Sequence, residues 1–403
     1  MEYAILILLI YLTGSPYFVT FYYSNAVIMS FIIVFIYFVK THFHKFYLHK
    51  VVNLVVLFMF ISLTITVIVN SESELQSYIA IALQLLISYM FVIIFDYKKF
   101  LKMYINCISI IALISIVFYS VLLMYPGIML YFPQSPNTNS LVYHNAIVHL
   151  FSRANGFSYF FPFLRNHSIF WEPGSYQAFL NLGILFLLES INIKSSINNS
   201  KRYLSHFLIL SVAVVTTYST TGYLIYAMLL FFYRKQVKHL LGSSMIKRLT
   251  ILPILVLGLF LISKWGIPLS YIIDKIGNEF GSELSFLNRI YLDDLKLLTY
   301  DNNLNFWGIS FSKYKEIERQ SANSIIHTLV VLGTPFTVIL LALYYKFSRL
   351  LNKSFVAFIM LTMIFSTQSL IWRPLFVSLG LYGLTEDKNN FKRKEHNTNT
   401  IRR

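Results

Sequence analysis

The sequence is poor in charge and in cysteine, and each shortage excludes a class of protein. Only 12% of the 403 residues are charged, against 57% that are hydrophobic, which is far from the composition of a soluble domain. The single cysteine, Cys107, excludes an intramolecular disulfide and a cysteine-based metal site. The chain has no Walker loop and no HExxH, CxxC or GxSxG motif. We therefore expect no cofactor, no metal and no soluble nucleotide-dependent chemistry.

Acidic residues are also few, 17 against 33 lysines and arginines, and the net charge is +16. In a soluble protein this excess would suggest a nucleic-acid partner, but here the basic residues cluster in alternate loops between apolar runs. The clusters lie at 40–50, 98–102, 194–202, 234–248, 346–353 and 388–403. The positive-inside rule predicts that these loops and both termini face the cytoplasm, so we expect no nucleic acid as a partner.

Apolar runs long enough to cross the hydrocarbon layer of a membrane recur along the chain. They predict an all-α, polytopic membrane protein with about twelve transmembrane helices and two large outer loops. The predicted spans are 3–20, 22–40, 51–69, 76–95, 104–125, 173–190, 203–219, 221–233, 249–264, 323–345, 354–369 and 372–385. The resulting divisions are N-terminal helices (1–125), a first outer loop (126–172), central helices (173–264), a second outer loop or cap (265–322), C-terminal helices (323–385) and a basic cytoplasmic tail (386–403).

Charged residues gather where the first outer loop meets the sixth predicted span, in the segment RNHSIFWEPGS (165–175). Pro173 suits the first turn of a helix, so Glu172 lies at or just before the helix start. The positive end of the helix dipole stabilises the carboxylate form of Glu172, which suits a base. The alternative is structural, with Glu172 capping the helix and pairing with Arg165.

Arginines on the predicted outer side run against the charge bias of the loops and need a reason. They are Arg153, Arg165, Arg289, Arg319 and Arg373. A guanidinium binds phosphate oxygens through a planar fork of donors, so these arginines suit a lipid-linked pyrophosphate. The structural alternatives are a helix-surface salt bridge between Arg289 and Asp293, and an interfacial anchor at Arg373. For His327 the alternative is a packing role within its span.

Three segments resemble the bacterial O-antigen and capsular polysaccharide repeat-unit polymerases (Wzy type), which are relatives of the O-antigen ligases. RNHSIFWEPGSYQAFLNL (165–182) is similar to the family's Arg-x-x-Gly-x-Phe-x-Glu-Pro segment. YSTTGYL (218–224) resembles its Ser/Thr-Gly helical break, and 288–336 resembles its second outer loop. Ser168 and Ser310 stand where the family has glycine, and Ala322 stands at the histidine of a His-Asn pair.

The resemblance implies a GT-C-like fold and metal-independent glycosyl transfer on the outer face of the bacterial inner membrane. An undecaprenyl-pyrophosphate-linked glycan would be both donor and acceptor, and a chain-length regulator and a flippase would work in the same membrane. Arg165 and Arg289 would clamp the leaving pyrophosphate, and Glu172 would orient Arg165 or accept the proton of the attacking hydroxyl. The substrate-binding residues would be Arg153, His167, Tyr218, Ser219, Thr220, Gly308, Asn323, His327 and Arg373.

Two rival functions use the same lipid-linked glycans. A ligase would transfer a finished glycan to the lipid A core, and its sequence differs little from that of a polymerase. A flippase or other transporter would show repeated halves and charges buried in the middle of its spans. The sequence shows neither feature, and its polar residues concentrate in the two outer loops.

Overall fold

The computed structural model describes residues 1–16, 23–43, 49–71, 74–134, 141–145, 148–154, 165–192, 200–241, 306–316 and 323–386. Its helices are α1 (Glu2–Gly14), α2 (Tyr23–His42), α3 (Lys50–Val69), α4 (Leu75–Ile94), α5 (Tyr97–Met124), α6 (Pro173–Asn192), α7 (Ser200–Thr216), α8 (Thr220–Phe232), α9 (Phe311–Glu316), α10 (Ser324–Ser348), α11 (Ser354–Thr367) and α12 (Pro374–Thr385). A further helical segment covers 234–241. A 3-10 helix covers Pro126–Tyr131, and β1 (Leu141–Asn145) pairs antiparallel with β2 (Leu150–Ala154).

The helical prediction is confirmed for the bundle, because every predicted span inside the described ranges overlaps a helix. The span predicted at 249–264 lies outside them. Within the described ranges, five helices are long and apolar enough to cross a membrane: α2, α3, α4, α5 and α10. The first outer loop is not purely helical, since it contains the β1–β2 hairpin. The structure is therefore that of a helical membrane protein, while the total of twelve spans and their orientation stay predictions.

Helices at the edge of the bundle expose apolar side chains, as a lipid-facing surface does. In α2, Met29 is 64% exposed and Ile36 is 61% exposed, and α3 exposes Leu54 and Phe58 in the same way. The interior consists of α4, α6 and α12, with α10 and α12 packed together and α4 packed against α12. Exposing such large apolar surfaces to water would be unfavourable, so these faces are suited to contact with the lipid of a bilayer.

α6 lies at the centre and is buried on every side from Ser175 to Glu189. α5, α7, α8 and α11 pack around it. α6 also buries more polar residues than the helices around it do, among them Gln177 and Asn181. A lipid-facing helix with these side chains would be costly, but here the neighbouring helices supply hydrogen-bond partners.

Polar side chains of α6 reach two of its neighbours. The amide of Asn181 donates to the Gln177 side-chain oxygen (2.9 Å) and to the Gly222 carbonyl of α8 (3.1 Å). Ser175 donates to the side-chain oxygen of Gln368, in the turn between α11 and α12 (2.5 Å). A Cβ at Gly222 would overlap Gln177, so glycine is what allows α8 to approach α6 this closely.

The other end of α6 is held by Glu189, which is 4% exposed. Its carboxylate accepts from the Asn352 backbone N–H (3.0 and 3.1 Å to the two oxygens) and from the Asn352 amide (2.8 Å). The Tyr233 hydroxyl donates to it as well. Glu189 therefore ties α6 to the turn between α10 and α11 and to the end of α8. The sequence analysis did not single it out.

α10 is interrupted at Gly333, which has φ 84° and ψ 171° and precedes Pro335 by two residues. The interruption frees the Val330 carbonyl, which would otherwise accept from the residue four positions on. The segment 306–310 fits against this point, and the Ile309 N–H donates to Val330 (2.8 Å). Backbone groups freed inside a membrane protein must be satisfied in this way.

We predict that Glu189→Ala lowers the free energy of unfolding by about 3 kcal/mol, because it leaves the buried Tyr233 hydroxyl without an acceptor and removes the hydrogen bonds from Asn352. Thermal unfolding of the purified protein in detergent measures this change. Glu2→Ala is the matched control, since Glu2 pairs with Lys99 at the surface (2.6 Å) and its loss should cost less than about 1 kcal/mol. Equal effects of the two substitutions would contradict the structural role of Glu189.

Candidate functional site

The segment 165–172 crosses the end of the bundle at which α6 begins. Pro173 is the first residue of α6, and the Tyr176 N–H donates to the Glu172 carbonyl (3.1 Å), so the helix starts where the sequence predicts. The Glu172 side chain is half-buried. Within the part of the chain that the structure describes, its carboxylate has no hydrogen-bond or ion-pair partner. The alternative in which Glu172 pairs with Arg165 is therefore wrong.

Arg165 instead faces the turn between α7 and α8. Its Nε donates to the Thr217 carbonyl (3.1 Å) and its Nη2 donates to the Tyr218 carbonyl (3.0 Å). These carbonyls follow the end of α7, where the helix dipole is negative and favours a cation. The two bonds fix the plane of a half-buried guanidinium at this end of the bundle.

Asn166 joins the same segment to two helices and is 1% exposed. Its amide donates to the Thr216 hydroxyl (2.9 Å) and to the Ser115 hydroxyl of α5 (3.1 Å). Its side-chain oxygen accepts from the Ser168 N–H (3.1 Å). The sequence analysis missed this residue, since an asparagine in a loop carries no signal of such a role.

Ser168 and Ser310 both have positive φ, 52° and 79° respectively. This region of backbone space is unfavourable for residues with a Cβ and is readily adopted by glycine. The two serines stand where the resemblance expects glycine. Gly308 also has positive φ (82°), and a Cβ there would overlap the Val331 backbone. The backbone at residue 308 therefore approaches α10 so closely that only glycine fits there.

His167 and His149 are buried behind the segment, with ring centroids 6.4 Å apart. His149 also stacks on Phe118 (5.5 Å), and the His167 Nδ1–H donates to the Phe170 carbonyl (2.7 Å). Burial lowers the pKa of His149 to about 3, and His167 adds to this effect. Burial lowers the pKa of His167 to about 4, opposed by the bond to Phe170 and reinforced by Arg165. Both imidazoles are therefore neutral at pH 7.

The turn between α7 and α8 contains three predicted substrate-binding residues. Ser219 caps α8, and its hydroxyl accepts from the Gly222 N–H (3.3 Å), which is a structural role. Tyr218 is half-buried, and its side chain hydrogen-bonds Tyr119 of α5. Thr220 is the first residue of α8, and its side chain lies outside the description.

A second group of predicted residues lies where α10 begins. Asn323 is 3% exposed and caps α10, because its side-chain oxygen accepts from the N–H groups of Ile325 (3.0 Å) and Ile326 (3.2 Å). That oxygen therefore has a structural role.

His327, one turn into α10, packs edge-on against Tyr314 at 4.8 Å and interacts electrostatically with Arg373. Arg373 is 6% exposed, and its guanidinium lies 4.4 Å from the centre of the Trp372 ring. The side chain of Arg373 is therefore buried in the bundle, and both alternatives for it, a substrate contact and an interfacial anchor, stay predictions.

The described contacts bring the predicted residues together in two groups. In the first group, Arg165 donates a hydrogen bond to the Tyr218 carbonyl and interacts electrostatically with His167. In the second group, Arg373 interacts electrostatically with His327. The backbone of Arg153 lies in β2 opposite Val142, and its side chain is not described. Arg289 and Arg319 lie outside the described residues. Among the described residues, no cluster of three His, Cys, Asp or Glu could hold a metal ion.

Comparisons with protein-family models, with curated proteins and with solved structures find no match for this chain. The fold itself defines the class, a helical membrane protein with apolar helices long enough to span a bilayer. The residues that set its candidate site apart are a cation at Arg165 and a carboxylate at Glu172 on one short segment.

We predict that Ser168→Gly and Ser310→Gly each stabilise the protein by up to about 1 kcal/mol, because glycine removes the cost of positive φ. Thermal unfolding in detergent measures the gain. Ser366→Gly, inside α11, is the control and should destabilise the protein, since glycine weakens a helix. Losses at Ser168 and Ser310 as large as that at Ser366 would show that neither backbone is strained.

Acid should destabilise this end of the bundle. His149 and His167 both have pKa values below the unfolded value of 6.5. Their full contribution to the free energy of unfolding is therefore present above pH 6.5 and is lost as the pH falls toward 4. At pH 5 the loss is about 2 kcal/mol for each histidine. The melting temperature between pH 7 and pH 5 tests this. His149→Gln/His167→Gln should show a shallower decline than wild type, and identical slopes would refute the assignment.

Proposed function

We propose that this chain polymerises undecaprenyl-pyrophosphate-linked oligosaccharide repeat units by metal-independent glycosyl transfer. The product is O-antigen or capsular polysaccharide. On this proposal the protein crosses the bacterial inner membrane about twelve times, with both termini in the cytoplasm and the Arg165 end of the bundle facing the periplasm. A flippase supplies the lipid-linked units, and a chain-length regulator acts beside the polymerase.

The observation that carries the proposal is the backbone of the segments that resemble the Wzy-type polymerases. In the described part of the chain, four non-glycine residues have positive φ: Ser71, Ser168, Tyr218 and Ser310. Three of these four lie in the resembling segments, and two stand at glycine positions of the family pattern. Positive φ is uncommon outside glycine. The agreement supports the alignment of this chain with the family at those positions.

The contacts of Arg165 and the half-buried position of Glu172 suit glycosyl transfer from a pyrophosphate. The hydroxyl oxygen of the acceptor sugar attacks the anomeric carbon of the donor glycan. The bond from that carbon to the pyrophosphate oxygen breaks, and the pyrophosphate leaves with the electron pair. A guanidinium stabilises the charge that develops on the phosphate oxygens. Arg165 is held for this task by the neutral carbonyls of Thr217 and Tyr218.

The proton of the attacking hydroxyl goes to the Glu172 carboxylate in this scheme. Glu172 is half-buried at the start of α6, so a substrate can approach it. His167 suits the role less well, because it is 2% exposed and its Nδ1–H bonds the Phe170 carbonyl. Arg289 would add a second cation from the second outer loop, as the resemblance implies.

The test is a lipopolysaccharide or capsule gel from a strain deleted for the gene and complemented with variants at matched protein levels. We expect the deletion to leave core that carries a single repeat unit. Arg165→Ala, Glu172→Gln and Arg289→Ala should fail to restore the ladder, with polymer reduced about a hundredfold or more. Arg349→Ala is the control, because Arg349 is exposed at the end of α10, and it should restore the full ladder.

Arg165 also holds the turn between α7 and α8, so its variants need a folding control. Arg165→Lys keeps a cation but loses the planar fork, and the melting temperature of each variant separates lost chemistry from lost fold. Polymer that stays on its carrier while the core carries no glycan would indicate a ligase. An unchanged ladder in the deletion strain would refute the proposed function.

A further inference from the structure

A basic groove of about 280 Å³ lies at the end of the bundle away from Arg165. It is formed by the first turns of α5 and α7 and by the last turn of α6. Its polar lining residues are Lys98, Lys102, Asn106, Ser190, Arg202 and His206. α5 and α7 both run from this groove to the candidate site, so the two sites lie at opposite ends of the same helices.

The charge of the groove favours an anion. Lys98, Lys102 and Arg202 line it, and none of the residues that line it is acidic. Lys98 and Lys102 are one helical turn apart on α5, where like charges repel each other. An anion placed between the lysines and the arginine would relieve this repulsion and bind several donors at once.

Arg202 is positioned by neutral partners that leave its charge in place. Its Nη2 donates to the Asn106 side-chain oxygen (3.0 Å), and its Nε donates to His206 Nε2 (3.5 Å). The Asn106 amide in turn donates to the Tyr3 hydroxyl of α1 (3.2 Å). Three helices therefore fix the orientation of the guanidinium at the groove.

An exposed apolar stripe continues from the groove along α5. Ile110, Leu113 and Val117 are 58%, 49% and 54% exposed. They follow Asn106 at the spacing of one helix face, so they rise from the groove toward the middle of the helix. A molecule with an anionic head and apolar chains would match both surfaces together.

We propose that this groove binds the phosphate headgroup of an anionic phospholipid, with the acyl chains lying along Ile110, Leu113 and Val117. Basic pockets between transmembrane helices suit such headgroups, and each Lys or Arg contributes to the attraction. The occupant is a lipid and not a soluble phosphate, because Asn106, which lines the groove, shares one face of α5 with the exposed apolar stripe. This inference concerns the opposite end of the bundle from Arg165 and does not depend on the proposed function.

Native mass spectrometry of the full-length protein in detergent, titrated with phosphatidylglycerol or phosphatidylcholine, tests the proposal. Lys102→Gln/Arg202→Gln should weaken phosphatidylglycerol binding about tenfold or more, since two charges are removed. Lys346→Gln/Arg349→Gln removes the same charge from exposed positions at the end of α10 and should bind like wild type. Phosphatidylcholine should bind weakly to all three proteins.

Equal phosphatidylglycerol affinity in the groove variant and the control variant would overturn the proposal. The proposal would also be overturned, in favour of a soluble anion, if glycerol 3-phosphate raised the melting temperature of the protein as much as phosphatidylglycerol does. Melting temperatures without lipid show whether each variant is folded. If the double variant is unfolded, the single Lys102→Gln variant, altered at an exposed position, should still bind about fivefold more weakly.

Discussion

Polar groups inside a bilayer must find their partners within the protein, and in this chain that requirement centres on α6. Ser175 reaches the turn between α11 and α12, Asn181 reaches α8, and Glu189 reaches the turn between α10 and α11. Each bond crosses to a different element, so α6 sets the relative positions of its neighbours. The segment 165–172 leads directly into α6, and its position follows from this packing.

The same requirement shapes the candidate site. α7 and α10 are each interrupted or ended near it, and interrupted helices leave backbone carbonyls that need donors. Arg165 supplies donors to the carbonyls after α7, and Ile309 supplies one to the freed carbonyl of α10. An arginine held by neutral carbonyls keeps its full charge for an anionic ligand. Arg202 follows the same principle at the other end, where Asn106 holds it.

Much of the helical architecture could be predicted, because the length of an apolar run and the position of a proline are local properties of the chain. The start of α6 after Glu172 is one example. The partners of Arg165 could not be predicted in this way, since Thr217 and Tyr218 lie 52 and 53 residues further along and contribute only their backbone carbonyls. Asn166 and Glu189 were missed for the same reason, because their roles depend on distant donors and acceptors.

The sequence by itself determined that this is a helical membrane protein, where most of its helices lie, and which segments carry charge between them. Hydrophobic periodicity and charge bias are sufficient for that, because the bilayer acts on each segment independently. Only the tertiary structure decided that Glu172 stands apart from Arg165, that the two histidines are buried and neutral, and that Lys98, Lys102 and Arg202 share a groove. These facts depend on which helices pack together, and packing is determined by shape and by long-range hydrogen bonds that no local pattern encodes.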